Sequence, residues 1–141
     1  MRAVVVDDIE KFRDNLIQDL NEFCPEVEVV GTADGVVSAA KVIKSKSPDV
    51  VFLDIQINQG TAFDLLELLG EINFKIIFTT ASDEYAIKAF KLSAVDYLLK
   101  PIDLDELKSS VDKVKSINND DYQLLKANIK EEDKSNKRLA L

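Results

Sequence analysis

Val50-Val51-Phe52-Leu53-Asp54 is a short apolar run that closes on a carboxylate. Four consecutive apolar residues without alternation describe a strand buried on both faces, the kind found inside a parallel sheet covered by helices. Comparable runs, rich in β-branched residues, lie at 3–6, 27–30, 76–78 and 95–99. Helical patterns alternate with them. Ile9, Phe12, Leu16, Ile17, Leu20 and Phe23 recur at helical spacing and predict one apolar stripe on a helix that stops near Cys24-Pro25. Val36, Val37, Ala40 and Ile43 predict a second helix ending near Ser47-Pro48, and further helical patterns occupy 63–69, 85–92 and 104–114. Strand–helix units repeated in this way predict a three-layer α/β domain.

The whole chain has 141 residues, 46% of them hydrophobic and 31% charged, which suits one globular domain. No apolar run approaches the roughly 20 residues of a bilayer span, and Met1-Arg2-Ala3-Val4 leads directly into a strand pattern, so the expectation is a cytoplasmic protein with no membrane partner. Histidine is absent and cysteine occurs once, at Cys24, which excludes a Cys–His zinc site, a histidine base and an internal disulfide. Glycine stands only at positions 31, 35, 60 and 70, too sparse for a glycine-rich nucleotide loop. A net charge of −8 argues against direct binding of nucleic acid.

The apolar pattern lapses near Asn118-Asn119-Asp120-Asp121 and resumes weakly at Leu124, Leu125 and Ile129. The expected organisation is therefore a domain over 1–118, followed by a linker over 119–141. The closing Arg138-Leu139-Ala140-Leu141 reads as the first residues of a further, incomplete unit.

Ligands of open parallel α/β sheets bind outside the carboxyl ends of the strands. There this sequence places Asp7-Asp8, Asp54, Thr79-Thr80 and Lys100-Pro101, whereas Gly31-Thr32 after the second run adds nothing. Taken singly, each has an ordinary structural role. Asp7-Asp8 serve equally as a helix cap, Asp54 as a turn residue, Thr80 as a cap for a helix near Asp83, Lys100 as a solvated charge and Tyr97 as a core aromatic. Their coincidence at one rim points to chemistry. Three carboxylates about 5 Å apart repel by roughly 3 kcal/mol per ionised pair at an effective dielectric of 20. Such a cluster calls for a cation, and an all-oxygen set suits Mg²⁺. With Lys100 and a hydroxyl from Thr79 or Thr80, the rim becomes a receptor for a phosphoryl group, which a carboxylate can accept as nucleophile.

These motifs resemble the receiver domain of two-component response regulators. Asp7-Asp8 is similar to that family's acidic pair, Val51-Phe52-Leu53-Asp54-Ile55-Gln56 to its phosphoacceptor strand, Thr80-Ala81 to its hydroxyl motif and Asp96-Tyr97-Leu98-Leu99-Lys100-Pro101 to its last strand. The resemblance implies a flavodoxin-like (βα)5 sandwich with a parallel five-stranded sheet in the order 2-1-3-4-5. It implies that Asp54 accepts phosphate from a sensor histidine kinase. It also implies that Mg²⁺ is held by Asp8 and Asp54, by Asp7 directly or through water, and by the Gln56 backbone carbonyl. Lys100 and Thr80 would contact the phosphoryl oxygens, and Thr80 and Tyr97 would act as the switch. The stretch 83–97 resembles, more narrowly, receivers joined to LytTR-type DNA-binding domains, so 119–141 would lead into such an output domain and DNA would be reached only through it. Phosphorylation would then promote a homodimer through Ile87, Phe90 and Tyr97. The turn Ile57-Asn58-Gln59-Gly60 and Ala62 depart from the family's usual sequence.

Two other classes are weighed. An aspartyl-phosphate phosphatase of the haloacid-dehalogenase type needs a second acid two residues after the nucleophile, where this chain has Gln56, so no turnover of external esters is expected. A flavin- or protein-binding module of the same fold is disfavoured for flavin because Asp7-Asp8 would repel its phosphate.

Overall fold

A computed structural model of the chain describes residues 1–117. The elements run β1 (Arg2–Val6), α1 (Glu10–Phe23), β2 (Glu28–Ala33), α2 (Val36–Lys46), β3 (Val50–Leu53), β4 (Gln56–Ile57), β5 (Gly60–Thr61), α3 (Ala62–Leu69), β6 (Lys75–Thr80), α4 (Ala86–Lys91), β7 (Asp96–Leu99) and α5 (Leu104–Ser116). The β-branched runs form one five-stranded sheet in the order β2-β1-β3-β6-β7, with every pairing parallel. Without β4 and β5, a separate two-stranded ribbon, this is the expected 2-1-3-4-5 order.

The apolar residues on the two faces of the sheet build two cores. Val4, Val6, Val51, Leu53, Ile76 and Phe78 pack against α2, α3 and α4, while Ala3, Val5, Val50, Phe52 and Ile77 pack against α1 and α5. Phe52, Leu53, Ile77 and Phe78 are fully buried, each stabilising the fold by about 1.5–3 kcal/mol through area removed from water. Thr61 and Asp64 cap α3 reciprocally: the Asp64 amide donates to Thr61 Oγ1 at 3.3 Å and the Thr61 amide to Asp64 Oδ2 at 2.8 Å.

The second strand runs from Glu28 to Ala33 and not over 27–30, because the parallel ladder with β1 carries it past Gly31, with a register shift between Ala3 and Val4. The edge strands β2 and β7 are only partly buried, because each has a neighbour on one side only. The stripe on α1 is not one buried face: Leu16 and Leu20 are buried, whereas Ile9, Phe12 and Phe23 are exposed. Val37 on α2 is exposed as well. The boundary at 118/119 and the linker and output reading of 119–141 lie outside the described residues.

Register places the site. Val6 pairs with Leu53 and Leu53 with Phe78, so β1 and β3 end level with each other, while β6 and β7 run two residues further on the same side, where Thr80 pairs with Leu99. The ladder continues one residue further, with the Asp54 amide donating to the Val6 carbonyl at 2.9 Å and the Lys100 amide to the Thr80 carbonyl at 2.8 Å. Asp7, Asp54, Thr80 and Lys100 are thereby delivered to the same rim.

Candidate functional site

Carboxylate oxygens of Asp7, Asp8 and Asp54 all lie within 4.8 Å of one another. Asp7 and Asp54 are buried and Asp8 is exposed. The Lys100 ammonium bridges the two buried acids, 2.7 Å from Asp7 Oδ2 and 3.0 Å from Asp54 Oδ2. The remaining oxygens are held by backbone: Ile9 donates to Asp7 Oδ1 at 2.9 Å, and Ile55 donates to Asp54 Oδ1 at 2.7 Å. Asp7 therefore steadies the entry to α1 without capping it; the N-cap residue is Ile9, which offers no side-chain acceptor. The Lys100-Pro101 peptide is cis.

Three acids face one ammonium, and the excess of negative charge is felt by both kinds of group. Burial raises the Asp54 carboxyl above its ordinary value, with Asp7 adding to the rise and Lys100 opposing it. Burial works to lower the Lys100 ammonium, but Asp7 and Asp54 outweigh it, so its pKa is raised and the lysine stays charged. Oxygen donors without sulfur or nitrogen, carrying surplus negative charge, are a donor set for a hard divalent cation.

A cleft of about 530 Å³ opens over the cluster, lined by Asp8, Asp54, Gln56, Thr80, Tyr85 and Lys100 among others. Thr79 lines a second cleft of about 170 Å³ on the other side of Lys100, with Asp7. Successive strand residues point to opposite faces, so the two threonines cannot serve one cleft, and it is Thr80 that shares a wall with Asp54 and Asp8. Thr80 belongs to β6 and caps no helix, since α4 begins only at Ala86.

Tyr97 is half-buried. Its ring packs on Phe78 with centroids 6.0 Å apart, and its hydroxyl donates to the Ser82 carbonyl in the loop after β6. The rings of Phe63 and Tyr85 extend the stack from Phe78, at 5.9 and 5.8 Å. Ile87 and Phe90, three residues apart on one face of α4, are exposed, as is Leu99 on the edge strand.

Two contacts at the site, and a third between β7 and α5 away from it, leave no mark in the sequence pattern. Gln56 Nε2 donates to the Tyr85 hydroxyl at 3.1 Å, bringing a residue assigned to a helical stripe into the cleft wall. Phe12, also assigned to a stripe, stands with its ring centroid 4.3 Å from the Lys100 ammonium. Asp96 accepts from the Ser110 hydroxyl and from Lys113 Nζ at 3.0 Å, tying β7 to α5. No local pattern marks Phe12 for its contact with Lys100, since Asp8 precedes the N-cap Ile9 and lies outside the helix.

A parallel sheet in this order, with a lysine and an acid cluster that could hold a metal ion at its carboxyl edge, defines an open α/β protein. The chain belongs to the family of response regulator receiver domains, whose model matches residues 3–112. It is 42% identical over 118 residues to an uncharacterised response regulatory protein of Vibrio parahaemolyticus, covering 83% of this chain and 48% of that one. It is 34% identical over 122 residues to the sensory transduction protein LytT of Bacillus subtilis, covering 85% of this chain and 50% of LytT. The chain thus spans about half the length of the curated relatives it matches. Among solved structures, the response regulatory domain of MrkE from Klebsiella pneumoniae superposes with a TM-score of 0.75 at 28% identity, covering 82% of this chain and 96% of that one. The receiver domain of the response regulator AraT from Geobacillus stearothermophilus gives 0.71 at 31% identity, covering 82% and 92%. This is the receiver domain of a two-component response regulator, a signalling domain. No helix among the described residues is long and apolar enough to cross a membrane.

Proposed function

We propose that Asp54 is a phosphoacceptor, taking a phosphoryl group from a phosphohistidine on a sensor histidine kinase. The observation that carries this reading is the placement of Asp54 on the floor of an open cleft, with one ammonium and two further carboxylates gathered around it. An Asp54 carboxylate oxygen attacks phosphorus, the bond from phosphorus to the imidazole nitrogen breaks, and the leaving nitrogen keeps the electron pair. Lys100 neutralises charge on the transferred oxygens, and the Thr80 hydroxyl donates to one of them. Asp8 and Asp54 would hold Mg²⁺ through their carboxylates, with Asp7 directly or through water and Gln56 through its backbone carbonyl. Bound there, the ion supplies charge compensation for the carboxylates and the phosphoryl oxygens.

The phosphoryl group adds about −1.5 to −2 charge and three acceptor oxygens. Thr80 moving toward it shifts the loop that carries the Ser82 carbonyl, and with it the hydrogen bond that holds Tyr97. Tyr97 is in this reading the switch, and the exposed Ile87 and Phe90 form with it the surface of a phosphorylation-dependent homodimer. Resemblance to LytT-type proteins and the half-length coverage support a domain over 1–118 that passes its signal through 119–141 to a LytTR-type DNA-binding output in the cytoplasm, controlling transcription. No turnover of external substrates is assigned beyond the domain's own phosphoryl uptake and slow hydrolysis.

Intact-mass spectrometry after incubation with Mg²⁺ and a small phosphodonor tests the acceptor. One added phosphoryl group is expected on the native chain and none on Asp54→Ala or without Mg²⁺; an adduct that survives in Asp54→Ala would refute the assignment. Sedimentation with and without beryllofluoride tests the dimer, which a chain monomeric in both conditions would exclude.

A further inference from the structure

Lysine has a flexible four-carbon stem, so an ammonium that must meet a transferred group in one place has to be held there. Two of the groups around Lys100 are the carboxylates of Asp7 and Asp54, at 2.7 and 3.0 Å. The third is the face of Phe12, whose ring centroid is 4.3 Å from the ammonium. An ammonium at that distance from an aromatic face is attracted by the ring quadrupole.

Packing does not explain this phenylalanine. Phe12 is 40% exposed, although it sits on the apolar side of α1, where Leu16 and Leu20 are buried. Its ring lines both clefts beside Lys100. The helix that carries it is tied to the site on two sides. The Ile9 amide donates to Asp7 Oδ1 at 2.9 Å, the Phe12 amide donates to the Ile9 carbonyl at 3.0 Å, and Arg13 Nη1 donates to the Asp7 carbonyl at 2.7 Å.

We propose that Phe12 is a positioning residue for phosphoryl transfer, its ring fixing the Lys100 ammonium from the side the carboxylates leave open. The assignment rests on the reading of Asp54 as phosphoacceptor. When a phosphoryl group arrives, the oxygens around Lys100 are rearranged. The attraction of the ring depends on neither protonation nor metal loading, so it keeps the ammonium in reach of the new oxygens. Preorganisation of this kind lowers the barrier because the charge is already in place as it is needed.

The test compares the full chain with Phe12→Leu, which removes the ring, and Phe12→Tyr, which keeps its face. The donor is acetyl phosphate with Mg²⁺, which offers no protein surface to dock. Phosphoryl uptake is expected to slow about 3- to 30-fold in Phe12→Leu, equivalent to about 0.7–2 kcal/mol at 1.36 kcal/mol per tenfold, and to stay within about twofold of native in Phe12→Tyr. Thermal melting of all three verifies the fold. NMR of the Lys100 ε-methylene, independent of phosphorylation, should show an upfield ring-current shift in native chain and Phe12→Tyr that disappears in Phe12→Leu. Unchanged methylene shifts or equal rates in the three chains overturns the role. A native chain with the ring-current shift intact that takes no phosphoryl group overturns the acceptor reading itself, and the positioning role falls with it while the contact stands.

Discussion

Replacing Asp54 by asparagine should stabilise the metal-free chain, although it removes a partner of the half-buried Lys100. At an effective dielectric of about 20, an ionised carboxylate pair 4.8 Å apart costs roughly 3.5 kcal/mol, and Asp54 has two such neighbours in Asp7 and Asp8. Against them stands one attraction, Lys100 at 3.0 Å, worth roughly 5.5 kcal/mol on the same scale. Solvent around the exposed Asp8 trims the repulsion, and the cost of burying the charge adds to it. The balance favours the neutral side chain by about 1–2 kcal/mol. The raised Asp54 carboxyl points the same way, since burial, joined by Asp7, disfavours its ionised form in the fold. A carboxyl raised above its ordinary 3.8 contributes stability that is fully present below that value and is lost as pH rises through the higher folded value. Asp54→Asn should abolish that loss.

Urea unfolding in EDTA, followed by circular dichroism from pH 3.5 to 8, measures the effect. At pH 7.5 the variant should unfold at higher urea with an unchanged slope, and the gap should close toward acid. Saturating Mg²⁺ should stabilise the native chain more than the variant and narrow or reverse the gap, because binding to the folded state alone adds stability. A variant less stable than native in EDTA at pH 7.5 would mean that the Lys100–Asp54 pair outweighs the carboxylate repulsion, and the electrostatic account of the site would fail.

Tyr97→Phe removes the hydroxyl that donates to the Ser82 carbonyl and should cost about 1 kcal/mol by urea unfolding, with faster amide exchange in the loop after β6; unchanged exchange there would refute a tether. Gly35→Ala should destabilise by about 1–3 kcal/mol, since a Cβ at that position meets the Asn58 backbone oxygen at 2.8 Å, and calorimetry showing a native melting point would contradict the close approach. Burial alone would raise the Asp96 carboxyl, but Ser110, Lys113 and the Tyr97 amide outweigh it and hold it below 3.8. Its stabilising effect is present above that value and lost as pH falls through the lower folded one. Asp96→Asn should therefore flatten the acid limb of the stability curve, the opposite sign to Asp54, and an acid limb as steep as native would exclude the effect.

The α/β alternation was legible because strands and helices leave different apolar periods, and the runs at 50–53 and 76–78 sit within strands the structure contains. The ribbon of β4 and β5 was not legible, since two residues on each side carry no period. It is held by long-range bonds, the Val36 amide donating to the Asn58 carbonyl at 2.9 Å and the Asn58 amide to the Asp34 carbonyl at 3.1 Å. Periodicity also places Phe12 and Phe23 on the apolar stripe of α1, yet both are exposed. It registers the side of a helix, whereas burial depends on how far the neighbouring layer extends, and both rings lie beyond it beside Lys100 and Lys108.

Which residues end the strands, and so that acids, hydroxyls and a lysine meet at a carboxyl edge, is set by residue order alone, because in a parallel sheet all strands end on the same side. The sequence also determines the charge surplus, which is a count. The three-dimensional packing sets the rest: that Lys100 bridges Asp7 and Asp54, that Thr80 and not Thr79 shares the open cleft of Asp54 and Asp8, and that Tyr85 and Phe12 stand in its walls. Those outcomes depend on strand register and on the docking of α1 and α4, which arise from contacts between residues far apart in the chain and leave no local pattern to read.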